Sequence, residues 1–230
     1  MTSRKVNIYW IRHGASCTNA IARSDPWYMQ WKRLIYLDPP LIVGAKQDIS
    51  NQRKLARDAG MPTPDYVFSS RLLRAIMTAK EWFPKRQIVA MCGNQELVRG
   101  RGNEFSSAQY QRDALEKFGL NANNVVYTYA LDSVCNSKKK RDAKVFYKLL
   151  GEYIAANSRG VKELNIVVVG HSEWMLANVL KTQKSKNLGV WKTEHTLIGD
   201  ALSPGSNLKN VLLGTHLGPQ DAEARKNCKF

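Results

Sequence analysis

Arg12-His13-Gly14 follows directly on the apolar run Val6-Asn7-Ile8-Tyr9-Trp10-Ile11. The run reads as a buried strand, and Gly14 lets the backbone turn sharply after it. An imidazole and a guanidinium then sit together at the carboxyl end of a strand, where open α/β sheets bind ligands. A neutral imidazole is a good nucleophile, and a guanidinium matches the oxygens of a phosphate. The tripeptide therefore points to phosphoryl chemistry on a histidine. Alone it is a weak signal, because a surface loop that contains a histidine gives the same three letters.

Three further segments strengthen it. Ser69-Ser70-Arg71-Leu72-Leu73-Arg74-Ala75 follows the apolar Tyr66-Val67-Phe68 and leads into a helical pattern of Leu72, Ala75, Ile76 and Ala79. Glu96 follows the strand-like Gln87-Ile88-Val89-Ala90-Met91. Leu164-Asn165-Ile166-Val167-Val168-Val169-Gly170 is the clearest buried strand, and it ends in His171-Ser172 before a helical stretch. A parallel sheet would gather these strand ends along one edge.

This ordered set resembles the histidine phosphatase superfamily, also called the phosphoglycerate mutase-like family. Asn19 lies five residues after Gly14, and Asp38-Pro39-Pro40-Leu41 matches an Asp-Pro-Leu segment. Ser69-Ser70, Arg74-Ala75 and Thr78-Ala79 match a Ser-Ser-x-x-x-Arg-Ala-x-x-Thr-Ala element, Glu96 and Gly100 a Glu-x-x-x-Gly element, and Gly170-His171 a strand ending in Gly-His. The likeness covers most of residues 4–181.

The resemblance implies a phosphatase of phosphate monoesters. His13 would carry the phosphoryl group, with its other ring nitrogen held by a hydrogen bond. Arg12, Arg71 and His171 would surround the three equatorial oxygens, Arg71 being taken as the phosphate arginine that follows the serines. Asn19 and Ser172 would add phosphate or substrate contacts. Glu96 would protonate the leaving oxygen and then activate water, with Glu173 as the competing candidate. No metal or other cofactor is implied. The substrate class is a phosphorylated small molecule or a phosphopeptide. Two departures matter. The loop Ile42-Val43-Gly44 is one residue short before its glycine, and Glu96-Leu97-Val98-Arg99-Gly100 lacks the mutase branch's Glu-Arg-His-Tyr-Gly. The second favours a phosphatase over a mutase. Phosphoglycerate mutase activity and a non-catalytic basic binding protein on the same fold remain as alternatives.

The elements that must hold these residues alternate. Strands are predicted near 6–11, 65–69, 87–91, 125–129, 164–170 and 208–213. Helices are predicted near 16–24, 46–59, 71–82, 105–118, 140–157 and 172–182. This is the pattern of a three-layer α/β/α sandwich with a mostly parallel central sheet. No repeat or linker divides residues 1–230, which read as one domain. The aromatic stretch Pro26–Pro40, with Trp27, Tyr28, Trp31 and Tyr36, reads as a lid or as packing on the body.

The chain has 230 residues and a formal net charge of +16, with basic runs at Lys138-Lys139-Lys140-Arg141 and at Lys181, Lys184, Lys186 and Lys192. These suit phosphorylated substrates, and nucleic acid is a weaker second partner because no recognition motif accompanies them. Arg99 and Arg101 are candidates to select extra anionic groups. Cys17, Cys92, Cys135 and Cys228 show no paired spacing, so they read as reduced thiols in a cytoplasmic protein. No run approaches the roughly 20 apolar residues needed to cross a bilayer. A homodimer is one expected assembly state. His195 and His216 carry no motif and read as structural or exposed.

Overall fold

The computed structural model describes residues 3–22, 36–98, 100–136 and 138–215. Within them the chain runs β1 (Ser3–Arg12), α1 (Cys17–Ala22), α2 (Ala45–Asp58), β2 (Tyr66–Ser70), α3 (Leu73–Trp82) and β3 (Ile88–Met91). It continues with α4 (Ala108–Lys117), β4 (Val125–Val126), α5 (Ala143–Asn157), β5 (Glu163–Gly170), α6 (Ser172–Met175), β6 (Val190–Ile198), β7 (Ala201–Leu202) and β8 (Ser206–Leu212). Arg101–Asn103 forms a 3-10 turn, and Leu176–Leu180 continues α6 as a π-helix.

The sheet order is β4-β3-β2-β5-β1-β6-β7, with β8 also paired to β6. The five strands from β4 to β1 are parallel, and β6, β7 and β8 add an antiparallel flank. Alternate residues of β1 feed opposite cores. Tyr9 and Ile11 pack in one apolar cluster with Ile49 of α2, Ile76 of α3 and Leu115 of α4. Val6, Ile8 and Trp10 pack in the other with Phe146 and Leu150 of α5 and Trp174 of α6. The helices therefore cover both faces, and the three-layer sandwich expected from the alternating pattern is present.

Strand β6 was not expected from the sequence, and the reason is visible in its inward face. Trp191, Thr193, His195 and Leu197 point inward, so two of four core positions are polar. Their polarity is consumed internally. Trp10 Nε1 donates to Thr193 Oγ1 at 2.7 Å, Thr193 Oγ1 and His195 Nε2 lie 2.8 Å apart, and His195 Nδ1 lies 2.8 Å from Ser203 O. A chain of satisfied hydrogen bonds makes a polar core strand tolerable, yet it hides the apolar alternation by which strands are recognised. His195 is structural, as expected. His216 and Cys228 lie outside the described residues, as do Trp27, Tyr28, Trp31 and Arg99.

One expectation is overturned. Cys92 and Cys135 form a disulfide across 43 positions of sequence, and Cys17 is likewise disulfide-bonded. Cys92 follows β3 and Cys135 precedes the lysine run, and no short motif links positions so far apart. The bonded pair removes the reason for placing the chain in a reducing compartment. Cys17, bonded as well, is no thiolate and so no nucleophile. Among the described residues no helix is long and apolar enough to cross a membrane.

Denaturing thiol titration of the unreduced protein should detect neither Cys92 nor Cys135. The Cys92→Ser/Cys135→Ser double variant should lose about 2–4 kcal/mol in urea unfolding. Two reactive thiols at these positions would contradict the pairing.

Candidate active site

The histidines are brought together by strand register. Arg12 of β1 pairs with Gly170 of β5, so the residues that follow, His13 and His171, leave the sheet side by side. Their ring centroids are 5.0 Å apart. His13 N donates to Gly170 O at 3.0 Å, and Asn187 Nδ2 donates to His13 O at 3.0 Å, so the His13 backbone is held from two sides. Gly14 N donates to Thr78 Oγ1 at 3.0 Å, while Thr78 Oγ1 donates to Arg74 O at 2.7 Å. Thr78 thus ties the loop after β1 to the first turns of α3. Gly14 does not adopt the left-handed conformation. A Cβ there would rest in ordinary contact with Ile49, Leu188 and Leu41, so the expected sharp glycine turn is a close-packed one.

His13 Nδ1 lies 2.6 Å from Gly14 O. A carbonyl only accepts, so the proton sits on Nδ1 and the Nε2 lone pair is available. Arg74 Nε donates to that Nε2 at 3.3 Å. Burial, reinforced by Arg74 and Arg12, holds the His13 pKa well below the ordinary imidazole value. The same forces, burial first and then Arg74, act on His171. Both rings are therefore neutral near pH 7. Arg74 Nη2 lies 3.4 Å from His171 Nδ1, which assigns Nδ1 as acceptor and leaves the proton on Nε2. That Nε2 is buried with no hydrogen-bond partner.

The second cavity arginine is Arg74, not the expected Arg71. The cause is the start of α3 at Leu73. Arg71 precedes the helix, and its guanidinium turns away to Gln95 Oε1 at 3.1 Å, Ala130 O at 2.9 Å and Asp132 Oδ1 at 2.8 Å. Arg74 stands in the first helical turn, where side chains lean back toward the helix start and the sheet edge. Its guanidinium also donates to Gly102 O at 2.8 Å and Asn103 Oδ1 at 2.6 Å. Asn103 Nδ2 donates to Val98 O at 2.8 Å, and Gln95 Nε2 donates to Asn103 O. Arg71 therefore supports Arg74 at a distance, through Gln95 and Asn103. Asn103 has no sequence motif, and only the folded chain reveals it.

A cavity of about 240 Å³ opens beside His13. Arg12, Asn19, Arg74, Glu96 and Ser172 line it together with Ser16 and Thr18. Arg12 is held by an Nη1 bond to Ser185 O at 2.7 Å, and Asn19 Oδ1 accepts from Ser16 Oγ at 3.0 Å. The loop that departs from the expected pattern still reaches this site. Ile42 N donates to Ala15 O and Cys17 N to Pro40 O, laying residues 40–42 against 15–17. Behind them buried Asp38 accepts from Leu73 N at 2.7 Å, from Ser106 Oγ at 3.0 Å and from Gln111 Nε2, fixing the start of α3.

No family model matches the chain, and no curated protein matches it. Solved structures do. An ecdysone phosphate phosphatase from Bombix mori, determined in complex with tungstate, superposes with a TM-score of 0.54 at 16% identity, over 94% of this chain and 95% of that one. Mycobacterial hydrolase 1 gives 0.51 at 13% identity, over 94% of this chain and all of that one (100%). A phosphoglycerate mutase from Bacillus anthracis gives 0.49 at 19%, over 89% and 93%. The chain has the phosphoglycerate mutase-like fold.

Within this phosphoglycerate mutase-like fold, two carboxylates face the cavity and differ in environment. Glu96 is 8% exposed, and burial raises its pKa against the opposing pull of Arg74 and of its hydrogen bond from Leu97 N. Glu173 forms an ion pair with Lys184 at 2.6 Å. The Glu96 loop is anchored throughout. Gly93 has φ +89°, and a Cβ there would meet Phe146 N at 2.5 Å, so glycine is required. Trp174 Nε1 donates to Gly93 O at 2.7 Å, and Arg141 Nε donates to Glu96 O at 2.6 Å. Lys140 and Arg141 both pair with Glu104, and Lys192 pairs with Glu194. Half of the lysine run is therefore structural cement rather than a free basic face. Among the described residues no cluster of His, Cys, Asp and Glu is placed to hold a metal.

Arg74→Ala should raise the inhibition constant of orthovanadate by about two orders of magnitude, the scale of losing one charged oxyanion donor. Arg71→Gln should shift it less than fivefold while lowering the thermal midpoint. The reverse ranking would restore Arg71 as the anion-binding arginine.

Proposed function

We propose that the protein hydrolyses a phosphate monoester through a phosphohistidine on His13. The observation that carries this reading is the His13 Nδ1 bond to Gly14 O, which leaves Nε2 unprotonated and facing a cavity shared by Arg12, Arg74 and Glu96. In the first step the Nε2 lone pair attacks phosphorus. The ester P–O bond breaks, and the Glu96 proton goes to the leaving oxygen. In the second step Glu96, now ionised, takes a proton from water as its oxygen attacks phosphorus, and the P–N bond breaks. Arg12 and Arg74, which line the cavity, would bind the equatorial oxygens, where transition-state charge accumulates, and the unpartnered His171 Nε2 proton would join them. Asn19 and Ser172 line the same cavity and would add hydrogen bonds to substrate.

Glu96 is the better acid because a buried carboxyl retains its proton to higher pH. Glu173 is tied to Lys184 instead. The fold is shared with a protein named as an ecdysone phosphate phosphatase, which supports phosphomonoester chemistry as the class. One sheet threads residues 3–212, which supports reading residues 1–230 as a single domain.

The pH dependence follows from the two shifts. His13 must be neutral, and its depressed pKa moves the acid limb down. Glu96 must be protonated for the first step, and its raised pKa moves the alkaline limb up. Hydrolysis of p-nitrophenyl phosphate should therefore peak on the acid side of neutrality, with chelator present, and vanish in His13→Ala. For an alkyl phosphate, whose leaving oxygen needs the proton more, Glu96→Gln should lower kcat by about 10²–10⁴-fold. Full activity in His13→Ala would sink the proposal.

A further inference from the structure

The phosphate cavity does not end at Glu96. A second cavity of about 390 Å³ adjoins it and shares Val98 and Glu173 as lining residues. Its remaining walls are Leu97, Leu176, Ala177 and Lys181. Val98 is 51% exposed and presents its methyl groups to this cavity's mouth beside Leu97 and Leu176. The polar heads nearby are already engaged. Lys181 Nζ bonds back to Ala177 O at 2.7 Å, and Glu173 is paired with Lys184. Leu176 and Ala177 begin the π-helical turn Leu176–Leu180, and such turns recur at functional sites.

Resting on the phosphatase reading, we propose that this shelf receives the leaving group of the substrate, and that the leaving group is apolar, an alkyl or aryl alcohol. The phosphoryl group would lie against His13 and the ester oxygen near Glu96. The carbon chain would pass Glu173 and cover Val98 and Ala177. Continuity with the phosphate cavity commits the shelf to this occupant. A second acidic group on the substrate would find carboxylates at the junction between the cavities.

Non-hydrolysable alkylphosphonates test the shelf separately from turnover. Calorimetry with methyl- through hexylphosphonate should show affinity rising about twofold per methylene, half of the roughly fourfold expected for full burial. The series would span about 30-fold at that slope. Ala177→Asp, an exposed position outside the phosphate cavity, should flatten the slope and leave methylphosphonate binding unchanged. A flat wild-type series overturns the shelf, as does a slope that Ala177→Asp does not alter. A slope without any aryl phosphate turnover would leave the shelf as an apolar binding site and overturn both the hydrolase reading and the leaving-group role. No binding of any phosphonate would overturn both.

Discussion

The pairing of β1 with β5 is the constraint on which the site depends. With Arg12 opposite Gly170, both strands end at the same level, and His13 and His171 emerge as neighbours. A slip of one residue would invert every side chain of β1, exchanging the Tyr9/Ile11 face for the Val6/Ile8/Trp10 face. Both faces are apolar and fully packed, so the two cores fix the register that the histidines require. The chemistry is set by packing far from the cavity.

Upon that register the structure places a buried cation that, among the described residues, has no carboxylate in ion-pair contact. Arg74 is 3% exposed, and its partners are one carbonyl oxygen, one side-chain amide and two imidazoles. Glu96 and Asp38 act on it only through space. Burial of a charge that is hydrogen-bonded but not neutralised is costly. It also leaves positive potential directed at the cavity, already oriented, with no reorganisation needed when a dianion enters. Burial first, and that potential second, keep both histidines neutral. On the proposed reading, Arg74 would prepare the anion site and help burial keep His13 unprotonated.

The strand ends were legible because buried parallel strands are long apolar runs. β1, β2, β3 and β5 all appear where such runs predict, and Arg12, His13, Asn19, Glu96 and Ser172 line one cavity, with His171 buried beside His13. The assignment of Arg71 failed within a stretch of four residues. Spacing does not reveal that α3 begins at Leu73, and that boundary decides which arginine faces inward. β6 was hidden by Thr193 and His195 on its core face. The Cys92–Cys135 bond joins segments with no local signature, although it clamps the Glu96 loop beside Arg141. Asn103 was illegible for a similar reason: its role exists only once Arg74 and Val98 O are folded against it.

The most direct measurement is acid-labile phosphoenzyme trapping. The protein would be mixed with a chromogenic aryl phosphate, quenched with alkali, digested and sequenced by mass spectrometry. The account predicts a phosphoryl group on His13, on Nε2, stable to alkali, lost in acid and absent from His13→Asn. Turnover with the phosphoryl group on another residue, or with no phosphoenzyme even when Glu96→Gln slows its hydrolysis, would contradict it.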